Sequence, residues 1–385
     1  MIIGVPREIM HGENRVAASP ETVALFKKQG HRVLVERGAG EGAFFADNRY
    51  IEAGAEIYPS VEQLYRDAEL ILKVKEPLFN EVVGKHEVEL MHEGQYLITF
   101  IHPAAPVNHE MVKTLAKQGV IALTLDGIPR ISRAQNMDAL TSMSTCAGYK
   151  GILMAASLLP RFMPQIFSAV GMVKPVNALI IGTGVAGLQA LATAKRLGAV
   201  CHAADIRPAA REQAASLGAK IVELNVPEAL AVGEGGYAKA LPEDALENER
   251  EVLREVVKNM DIIFLSALVP GRLAPHLIDE EMVKSMKPGS VIVDISIDQG
   301  GNCTLTPAGS CKVMHDVNLV GIKNIPGMLP ESSTQMFSKN VYNLVSYLVK
   351  EDKMNLDESD EIVRGILTTK NGEIVHQGAR EAMGI

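Results

Sequence analysis

The fold of this chain is decided by residues 177–207, which read NALIIGTGVAGLQALATAKRLGAVCHAADIR. Residues 178–181 form a short apolar run, which is typical of a buried parallel strand. A glycine-rich turn, 182–187, follows at once, and the apolar periodicity after it predicts a helix. A second predicted strand, 199–204, ends at Asp205. Strand, glycine-rich turn, helix, strand and acid within about 30 residues are typical of a dinucleotide-binding unit.

The glycines of this turn each have a physical role. Gly182 permits the tight turn, Gly184 lets the backbone approach a pyrophosphate, and Gly187 lets the helix pack closely on the strand. The helix N-terminus presents free N–H groups and a partial positive charge to phosphate. The alternative is a glycine-rich turn with a purely structural role. We predict a cofactor site whose turn residues are Gly182, Gly184, Val185, Ala186 and Gly187.

Asp205 indicates which dinucleotide this site prefers. It lies 23 residues after Gly182, where a carboxylate accepts hydrogen bonds from the ribose hydroxyls. A 2′-phosphate would meet like charge there, so the sequence predicts NAD(H) rather than NADP(H). Arg207 argues in the opposite direction, because a nearby arginine can accommodate that phosphate. We include Asp205, Ile206 and Arg207 among the predicted cofactor-binding residues.

Composition and charge exclude several classes of protein. The 385 residues are 47% hydrophobic and 22% charged, and the net charge of −8 argues against a nucleic-acid surface. Every apolar run is shorter than a membrane-spanning helix requires, and the start of the chain lacks the pattern of a signal peptide. The four cysteines have no CxxC spacing, so we expect reduced thiols in a cytoplasmic protein, without disulfides or a metal site.

Alternating strands and helices predict the overall architecture. The N-terminal region has a βαβ rhythm without a glycine-rich phosphate turn, which favours a parallel sheet in a substrate or packing domain. A helix predicted at 333–349 returns the chain to that domain, and the tail regains strand character at 362–369. We predict an α/β fold with two Rossmann-like domains that contain parallel sheets and are joined by long helices around a cleft. The predicted bounds are 1–137 plus 330–385 for the first domain and 138–329 for the NAD(H)-binding domain.

Polar residues follow the predicted strands, which is where α/β sheets place their sites. In the N-terminal region, Arg15 offers a carboxylate clamp, Lys75 an amine, and His102 an imidazole suited to proton transfer near neutral pH. Asp298 follows a strand of the second domain, where it would face the nicotinamide across the cleft. Each residue alone is readily explained as a surface charge or a satisfied polar group, but their shared position at strand ends favours a site.

Two loops carry further candidates. Residues 130–141 read RISRAQNMDALT and are dense in groups that bind ribose hydroxyls, an amide or a phosphate. The alternative for this segment is a helix N-cap formed by Asn136 or Asp138. Residues 233–239, GEGGYAK, combine three glycines with Tyr237. This pattern fits either an ordinary surface loop or a flap that closes over a site or a partner.

These motifs resemble, over essentially the whole chain, the family of alanine dehydrogenase and the NAD(H)-binding α subunit of proton-translocating NAD(P) transhydrogenase. The shared signatures are IGVPREI and GENRVAASP near the start, GTGVAGLQA in the middle, and ALVPGRLAPHLI and MKPGSVIVD later in the chain. They are specific and occur in the family's order. The resemblance implies that Ala267 and Leu268 join the cofactor-binding residues.

Three features are similar to the transhydrogenase α subunit in particular. PRISRAQNMDAL resembles the loop that holds the nicotinamide end beside the NADP(H)-bearing partner, which implies this role for Arg130, Gln135 and Asp138. GGYAK resembles the mobile loop of that subunit, which implies that Gly236 and Tyr237 contact NAD(H) and that Tyr237 closes over it. The ending EIVRGILTTKNGEIVH is also similar to that subunit and extends beyond the usual end of a dehydrogenase.

Other residues are similar to alanine dehydrogenase. The resemblance implies that Arg15 and Lys75 bind the substrate carboxylate, and that His102 and Asp298 are the catalytic pair. Transhydrogenase α subunits commonly carry other residues where His102 and Asp298 stand. Two interpretations therefore stay open: a transhydrogenase subunit with an ancestral pocket, and an amino-acid dehydrogenase with a transhydrogenase-like body.

We expect the first of these, an α subunit that passes hydride from NADH directly to NADP⁺ on a partner subunit. The alternatives are NAD-dependent oxidative deamination of L-alanine or a similar small amino acid, and a non-catalytic NAD(H)-binding module. A single dinucleotide pattern implies that the NADP(H)-binding and membrane-spanning subunits are separate chains. The resemblance implies a homodimer, although dehydrogenases of this group also form hexamers. We expect the chain in the cytoplasm, at the inner face of the membrane through its partner subunits.

Overall fold

The computed structural model describes residues 1–233, 238–269, 272–351 and 353–385. These residues form two compact units, called here the first and the second unit. The first unit consists of Met1–Met143 with Gly327–Ile385, and the second of Ser144–Pro326. The domain bounds expected from the sequence stay a prediction.

The strands of the described residues, in chain order, are β1 (Ile2–Val5), β2 (Arg32–Glu36), β3 (Glu56–Tyr58), β4 (Leu70–Leu72), β5 (Phe79–Asn80), β6 (Lys85–His86), β7 (Tyr96–Thr99), β8 (Ile121–Thr124), β9 (Ile166–Ser168), β10 (Gly171–Val173), β11 (Asn177–Ile181), β12 (Val200–Ala204), β13 (Lys220–Ile221), β14 (Ile262–Leu265), β15 (Val291–Asp294), β16 (Cys311–Met314), β17 (Val317–Val320), β18 (Val349–Lys350), β19 (Lys353–Met354), β20 (Leu367–Lys370) and β21 (Glu373–Ile374). The α-helices are α1 (Pro20–Lys28), α2 (Asp47–Glu52), α3 (Val61–Asp67), α4 (Glu87–Leu90), α5 (His109–Lys117), α6 (Ala139–Leu158), α7 (Val185–Arg196), α8 (Pro208–Ser216), α9 (Glu228–Ala231), α10 (Glu243–Val257), α11 (Glu280–Ser285), α12 (Pro330–Leu348), α13 (Glu361–Ile366) and α14 (Gln377–Met383).

The first unit is built on an eight-stranded sheet in the order β21-β20-β8-β7-β4-β1-β2-β3. Six of these strands run parallel to their neighbours, while β20 pairs antiparallel with both β8 and β21. The central strand β4 is buried along its whole length, as a parallel strand covered on both faces requires. Because parallel strands end at one edge of the sheet, the residues that follow β1, β4, β7 and β8 lie along the same edge.

The second unit is built on a seven-stranded sheet in the order β13-β12-β11-β14-β15-β17-β16. All neighbours are parallel except β16, which pairs antiparallel with β17 at the edge. From β11 the chain continues to β12 and β13 on one side, and it then returns to β14 on the other. The strand order therefore reverses between β11 and β14, which is where open α/β sheets bind their ligands. The predicted α/β class with parallel sheets is confirmed.

The C-terminal tail differs in part from the prediction. The helix predicted at 333–349 is observed as α12, but the strand predicted at 362–369 is wrong in its first half, which forms the helix α13. The side chain of Asp360 caps α13 by accepting a hydrogen bond from the N–H of Ile362 at 2.9 Å. The apolar residues at helical spacing, Ile362, Val363 and Ile366, are buried, so packing selects the helix, and the strand begins only at Leu367.

Two further features bear on the classes of function considered above. In the described part of the chain, no helix has both the length and the apolar character that a bilayer crossing requires. Among the same residues, His, Cys, Asp and Glu side chains form no group of three placed to hold a metal ion. The four cysteines are free thiols, and burial raises the pKa of Cys201 to about 11.

Candidate functional site

The glycine-rich turn of the second unit connects β11 to α7. Gly182 has a φ of +84°, and a Cβ there would lie 2.7 Å from the backbone nitrogen of Ala267. A Cβ at Gly187 would lie 1.9 Å from the carbonyl oxygen of Gly182, so only glycine lets α7 pack this closely. A Cβ at Gly184, by contrast, would have no described atom within 4 Å. Gly184 therefore borders open space, as a backbone that receives a ligand must.

The N-terminus of α7 adds hydrogen-bond donors to this space. The helix follows Gly184, which supplies no side-chain cap. The N–H groups of the first turn, at Val185, Ala186 and Gly187, therefore lack intrahelical acceptors. Together with the helix dipole, they form an anion site suited to a pyrophosphate. The turn thus fits the phosphate end of a dinucleotide.

Asp205 lies directly after β12 and is only 6% exposed. Its carboxylate accepts hydrogen bonds from the backbone N–H of Thr183 at 2.7 Å and from that of Arg207 at 2.9 Å. The guanidinium of Arg207 adds an ion pair, with 2.8 Å between Nη2 and Oδ2. The hydrogen bond to Asp205 raises the pKa of Arg207 although burial opposes it. A ribose hydroxyl bound at Asp205 would have to share the carboxylate with Thr183 and Arg207. Ile206 lies half-buried between the two charged residues.

Two polar residues that sequence reasoning missed shape the loops after β14 and β15. The carboxylate of Asp294 is buried and accepts three backbone N–H groups of residues 296–303 at 2.8 to 3.0 Å. The side chain of Asn302 hydrogen-bonds both the N–H and the carbonyl of Ala267, at 3.0 and 2.9 Å. These bonds fix Ala267 beside the glycine-rich turn, and the neighbouring Leu268 is partly exposed. The position of Asp294 at the end of β15 was a signal that could have found it, whereas Asn302 lies farther along the loop.

Asp298 lies on the loop that Asp294 organises. Its side chain is 61% exposed, and its Oδ1 lies 3.7 Å from Nζ of Lys323. A solvated ion pair of this kind holds the carboxylate only loosely. Asp298 belongs to the second unit, whereas the candidates Arg15, Lys75 and His102 belong to the first. Its predicted catalytic role stays a prediction.

In the first unit, a His–Asp pair stands at the edge where β7 and β8 end. Nδ1 of His102 lies 2.7 Å from Oδ1 of Asp126, and Oδ2 of Asp126 accepts the backbone N–H of His102 at 2.8 Å. These bonds hold His102 in a left-handed conformation, with a φ of +48°. Burial disfavours the imidazolium, but the hydrogen bond and the charge of Asp126 outweigh it and raise the pKa of His102. Asp126 was missed, although it follows a strand just as His102 does.

Lys75 follows β4, between the strands that carry His102 and the N-terminal motif. Its carbonyl accepts a hydrogen bond from Oγ1 of Thr99 at 2.8 Å, and its N–H donates to Glu8 at 3.3 Å. Glu8 is buried with its Oε2 3.4 Å from Nζ of Lys73, and burial raises the pKa of Glu8 to about 7 despite this lysine. The charge of Lys75 opposes protonation of His102. The structure therefore brings Lys75 and His102 together at one edge of the sheet.

Arg15 is buried and already holds a carboxylate from its own loop. Its Nε and Nη2 donate to the two oxygens of Glu13 at 2.7 and 2.5 Å. Its Nη1 contacts the sulfur of Met143 at 2.8 Å. A substrate carboxylate at Arg15 would have to share the guanidinium with Glu13. The predicted carboxylate-binding role of Arg15 stays a prediction.

The loop with the candidates Arg130, Gln135 and Asp138 leads into α6. Residues Ser132–Met137 form a 3₁₀ helix, and Arg130 and Gln135 are exposed. Asp138 accepts hydrogen bonds from the N–H and the hydroxyl of Thr141, at 2.8 and 2.6 Å. Asp138 is thus the helix cap that the sequence offered as an alternative, which leaves its role toward a nicotinamide a prediction. Gly236 and Tyr237 lie outside the described residues.

Comparison with known proteins assigns the chain to a family. The model described as "Alanine dehydrogenase/PNT, N-terminal domain" matches residues 4–147, and its C-terminal counterpart matches residues 151–377. An NAD(P) transhydrogenase alpha-subunit chain of Rhodospirillum rubrum is 43% identical over 98% of both chains. The alanine dehydrogenase of Bacillus subtilis is 32% identical over 100% of this chain and 95% of its own.

A solved structure agrees with these matches. The transhydrogenase from Sinorhizobium meliloti superposes with a TM-score of 0.85 and 35% identity, covering 97% of this chain and 100% of its own. The resemblance inferred from the sequence is therefore confirmed. Since the two family models match nearly the whole length, the chain belongs to the alanine dehydrogenase/PNT family.

Proposed function

We propose that this chain is the NAD(H)-binding α subunit of a proton-translocating NAD(P) transhydrogenase, which passes hydride from NADH to NADP⁺ on a partner subunit. The observation that carries this proposal is the similarity to transhydrogenase subunits along the full length of both chains, at a higher identity than to alanine dehydrogenases. The predicted class, an NAD-dependent oxidoreductase of this family, is confirmed by the same relatives. The proposal thus agrees with the function expected from the sequence.

The second unit fits NAD(H). The space beside Gly184 and the uncapped N-terminus of α7 receive the pyrophosphate, and Asp205 accepts a ribose hydroxyl. When bound, NADH supplies the hydride. The chain's own contribution is orientation and the exclusion of water. Arg130, Gln135 and Asp138 orient the nicotinamide end.

The relatives named as subunits imply that this chain also works beside other subunits. We assign the NADP(H)-binding site and the membrane span to those subunits, since the sequence carries one dinucleotide pattern. We also propose a homodimer. The apolar hairpin of β9 and β10 supports it, because Phe167 and Val170 are 76% and 95% exposed and monomers rarely expose such patches. The expected location is the cytoplasmic face of the membrane.

The test mixes the purified chain, NADH, thio-NADP⁺ and a heterologous NADP(H)-binding transhydrogenase domain, and follows the absorbance of reduced thio-NADP⁺. We expect hydride transfer only when all four are present. Gln135→Ala should lower the rate about 10- to 100-fold through loss of orientation, while His102→Ala should leave it nearly unchanged. Gln63→Ala, at an exposed glutamine of the first unit, is the matched control. Absence of transfer by the wild-type chain would overturn the proposal.

The His102–Asp126 pair favours one second candidate, NAD-dependent oxidation of L-alanine. An imidazole held by a carboxylate at a strand end, with Lys75 nearby, is equipped to take a proton from an amine while a carboxylate is bound. The test is NADH absorbance with NAD⁺ and L-alanine at alkaline pH. A sustained rise that disappears in His102→Ala would establish this activity as the main one. Binding of NADH without either activity would leave only a non-catalytic NAD(H)-binding module.

A further inference from the structure

One cluster of the first unit has no role in the sites described so far. It consists of Arg133, Tyr347, Asp360 and Glu361, and we call it the Arg133 anchor. Nη1 of Arg133 donates to the hydroxyl of Tyr347 at 2.7 Å. Its Nη2 donates to Oδ1 of Asp360 at 2.9 Å and to Glu361 at 3.1 Å. The hydroxyl of Tyr347 also hydrogen-bonds Asp360. One guanidinium thus joins the loop 130–138 to the end of α12 and the start of α13.

The other half of the same loop is held from α12. The Nδ2 atoms of Asn340 and Asn343 both donate to the carbonyl oxygen of Asn136, each at 2.9 Å. Gln135 therefore lies between two attachment points, Arg133 and Asn136. Ala134 and Met137 of the 3₁₀ turn are buried, and the bonds of Arg133 and Asn136 hold its polar face from outside.

The segment that receives Arg133 is itself fixed to the sheet. A Cβ at Gly127 would lie 1.8 Å from the carbonyl oxygen of Gly365, so α13 packs backbone to backbone on the turn after β8. Thr369 then ties β20 to β8 by donating to the carbonyl of Val120 at 2.7 Å. The turn after β8 also carries Asp126, the partner of His102. The anchor thus connects the loop to a rigid edge of the sheet.

We propose that the C-terminal ending, which is Asp360 with the segment EIVRGILTTKNGEIVH that follows it, positions the loop 130–138. Arg133 and Asp360 are the positioning residues. They align Gln135 and Arg130 for hydride transfer. This inference rests on the proposed function. It gives the ending a task in the transhydrogenase reaction. The expectation that this ending extends beyond a dehydrogenase is wrong, because the alanine dehydrogenase of Bacillus subtilis matches the whole of this chain. The side chain of Arg133 is 48% exposed, so its ion pairs contribute little to overall stability. Their effect is local, on the conformation of the loop.

The test compares Arg133→Ala, Arg133→Lys and Asp360→Asn with the wild-type chain. Asparagine retains the helix cap of α13, so Asp360→Asn removes the charge without removing the cap. The matched control is Arg32→Ala, which breaks an equally exposed, two-bond pair with Glu56 in the same unit. The readouts are the single-turnover rate of hydride transfer with the partner domain, the Kd of NADH from its own fluorescence, and hydrogen exchange of residues 131–138.

For Arg133→Ala we expect a rate at least about 10-fold lower, an unchanged Kd of NADH, and faster exchange confined to residues 131–138. Arg133→Lys should have a rate between those of Arg133→Ala and the wild type. Lysine keeps the positive charge but cannot donate the parallel hydrogen bonds of a planar guanidinium. Asp360→Asn should be intermediate, and Arg32→Ala should resemble the wild type. The thermal midpoint of every variant should stay within about 3 °C of the wild type.

An Arg133→Ala chain that transfers hydride at the wild-type rate would overturn the inference. A wild-type chain without hydride transfer would overturn the proposed function instead, and hydrogen exchange then decides the inference alone. In that case, unchanged exchange of residues 131–138 in Arg133→Ala refutes the anchor. Faster exchange there, with the rest of the chain unaffected, supports it.

Discussion

Asp126 accepts three hydrogen bonds at the carboxyl end of β8, from the ring and the backbone of His102 and from the hydroxyl of Thr124. Because the pKa of His102 is raised in the folded chain, the pair stabilises the fold below the ordinary histidine pKa. This contribution disappears as the pH rises through the raised value. One carboxylate thus keeps a partly exposed imidazole protonated at a pH where a free one is neutral.

Asp126→Asn should lower the pKa of His102, because burial of the ring remains while the opposing negative charge is gone. We expect the midpoint of the His102 titration to move to lower pH, because the hydrogen bond and the negative charge that raise it are lost. The measurement is an NMR titration of the imidazole carbons, with the His102 signal identified by its absence in His102→Gln. Asp67→Asn, at another carboxylate of the first unit, should leave the midpoint in place. An unchanged midpoint in Asp126→Asn would show that Asp126 does not set this pKa.

At the scale of elements, we expect two glycines of one turn to have different roles: Gly187 is needed for the packing of α7 on β11, and Gly184 for the binding of NADH. A Cβ at Gly187 meets the carbonyl of Gly182, so Gly187→Ala must push α7 away from β11 and should cost about 3 kcal/mol of unfolding free energy. A Cβ at Gly184 meets no described atom, so Gly184→Ala should fold normally. It should nevertheless weaken NADH binding about 10-fold, or about 1.4 kcal/mol, because the new methyl group occupies the space of the pyrophosphate.

Urea unfolding and titration of NADH fluorescence measure the two quantities separately. Gly378→Ala in α14 serves as a control, because that glycine also lacks a positive φ and an added Cβ there would meet only the side chain of His376, at 3.3 Å. If Gly184→Ala binds NADH as tightly as the wild type, the pyrophosphate does not lie beside Gly184.

The sequence predicts correctly those elements whose deciding residues lie close together along the chain. The apolar run, the glycines and the acid of 177–207 are close in sequence, and β11, α7 and β12 follow them. The strand-end rule likewise selected Lys75 and His102 at one edge of the first sheet. The β-branched residues of 362–366 predict a strand, whereas their helical spacing, the cap by Asp360 and packing on the turn at Gly127 select the helix α13. The partners of Arg133 lie 214 and 227 residues away, which no local pattern reveals.

At the scale of the whole molecule, the hairpin of β9 and β10 is apolar but exposed. Both strands lie outside the large sheets, and Val170 at the tip is 95% exposed. The free energy of leaving such side chains in water favours their burial in an assembly. A second copy of the chain, as proposed above, offers the same hairpin in return, which is how two-fold interfaces are built.

The double variant Phe167→Ser with Val170→Ser should therefore turn the dimer into a monomer, because it removes the two most exposed apolar side chains of the hairpin. Light scattering after size exclusion should show a mass that falls from two chains to one, while the NADH affinity of the monomer stays unchanged. Val82→Ser, which is 80% exposed in the first unit, controls for a general change in surface polarity. A wild-type chain that is already monomeric would contradict the homodimer, and the hairpin would then be available to a partner subunit of the transhydrogenase.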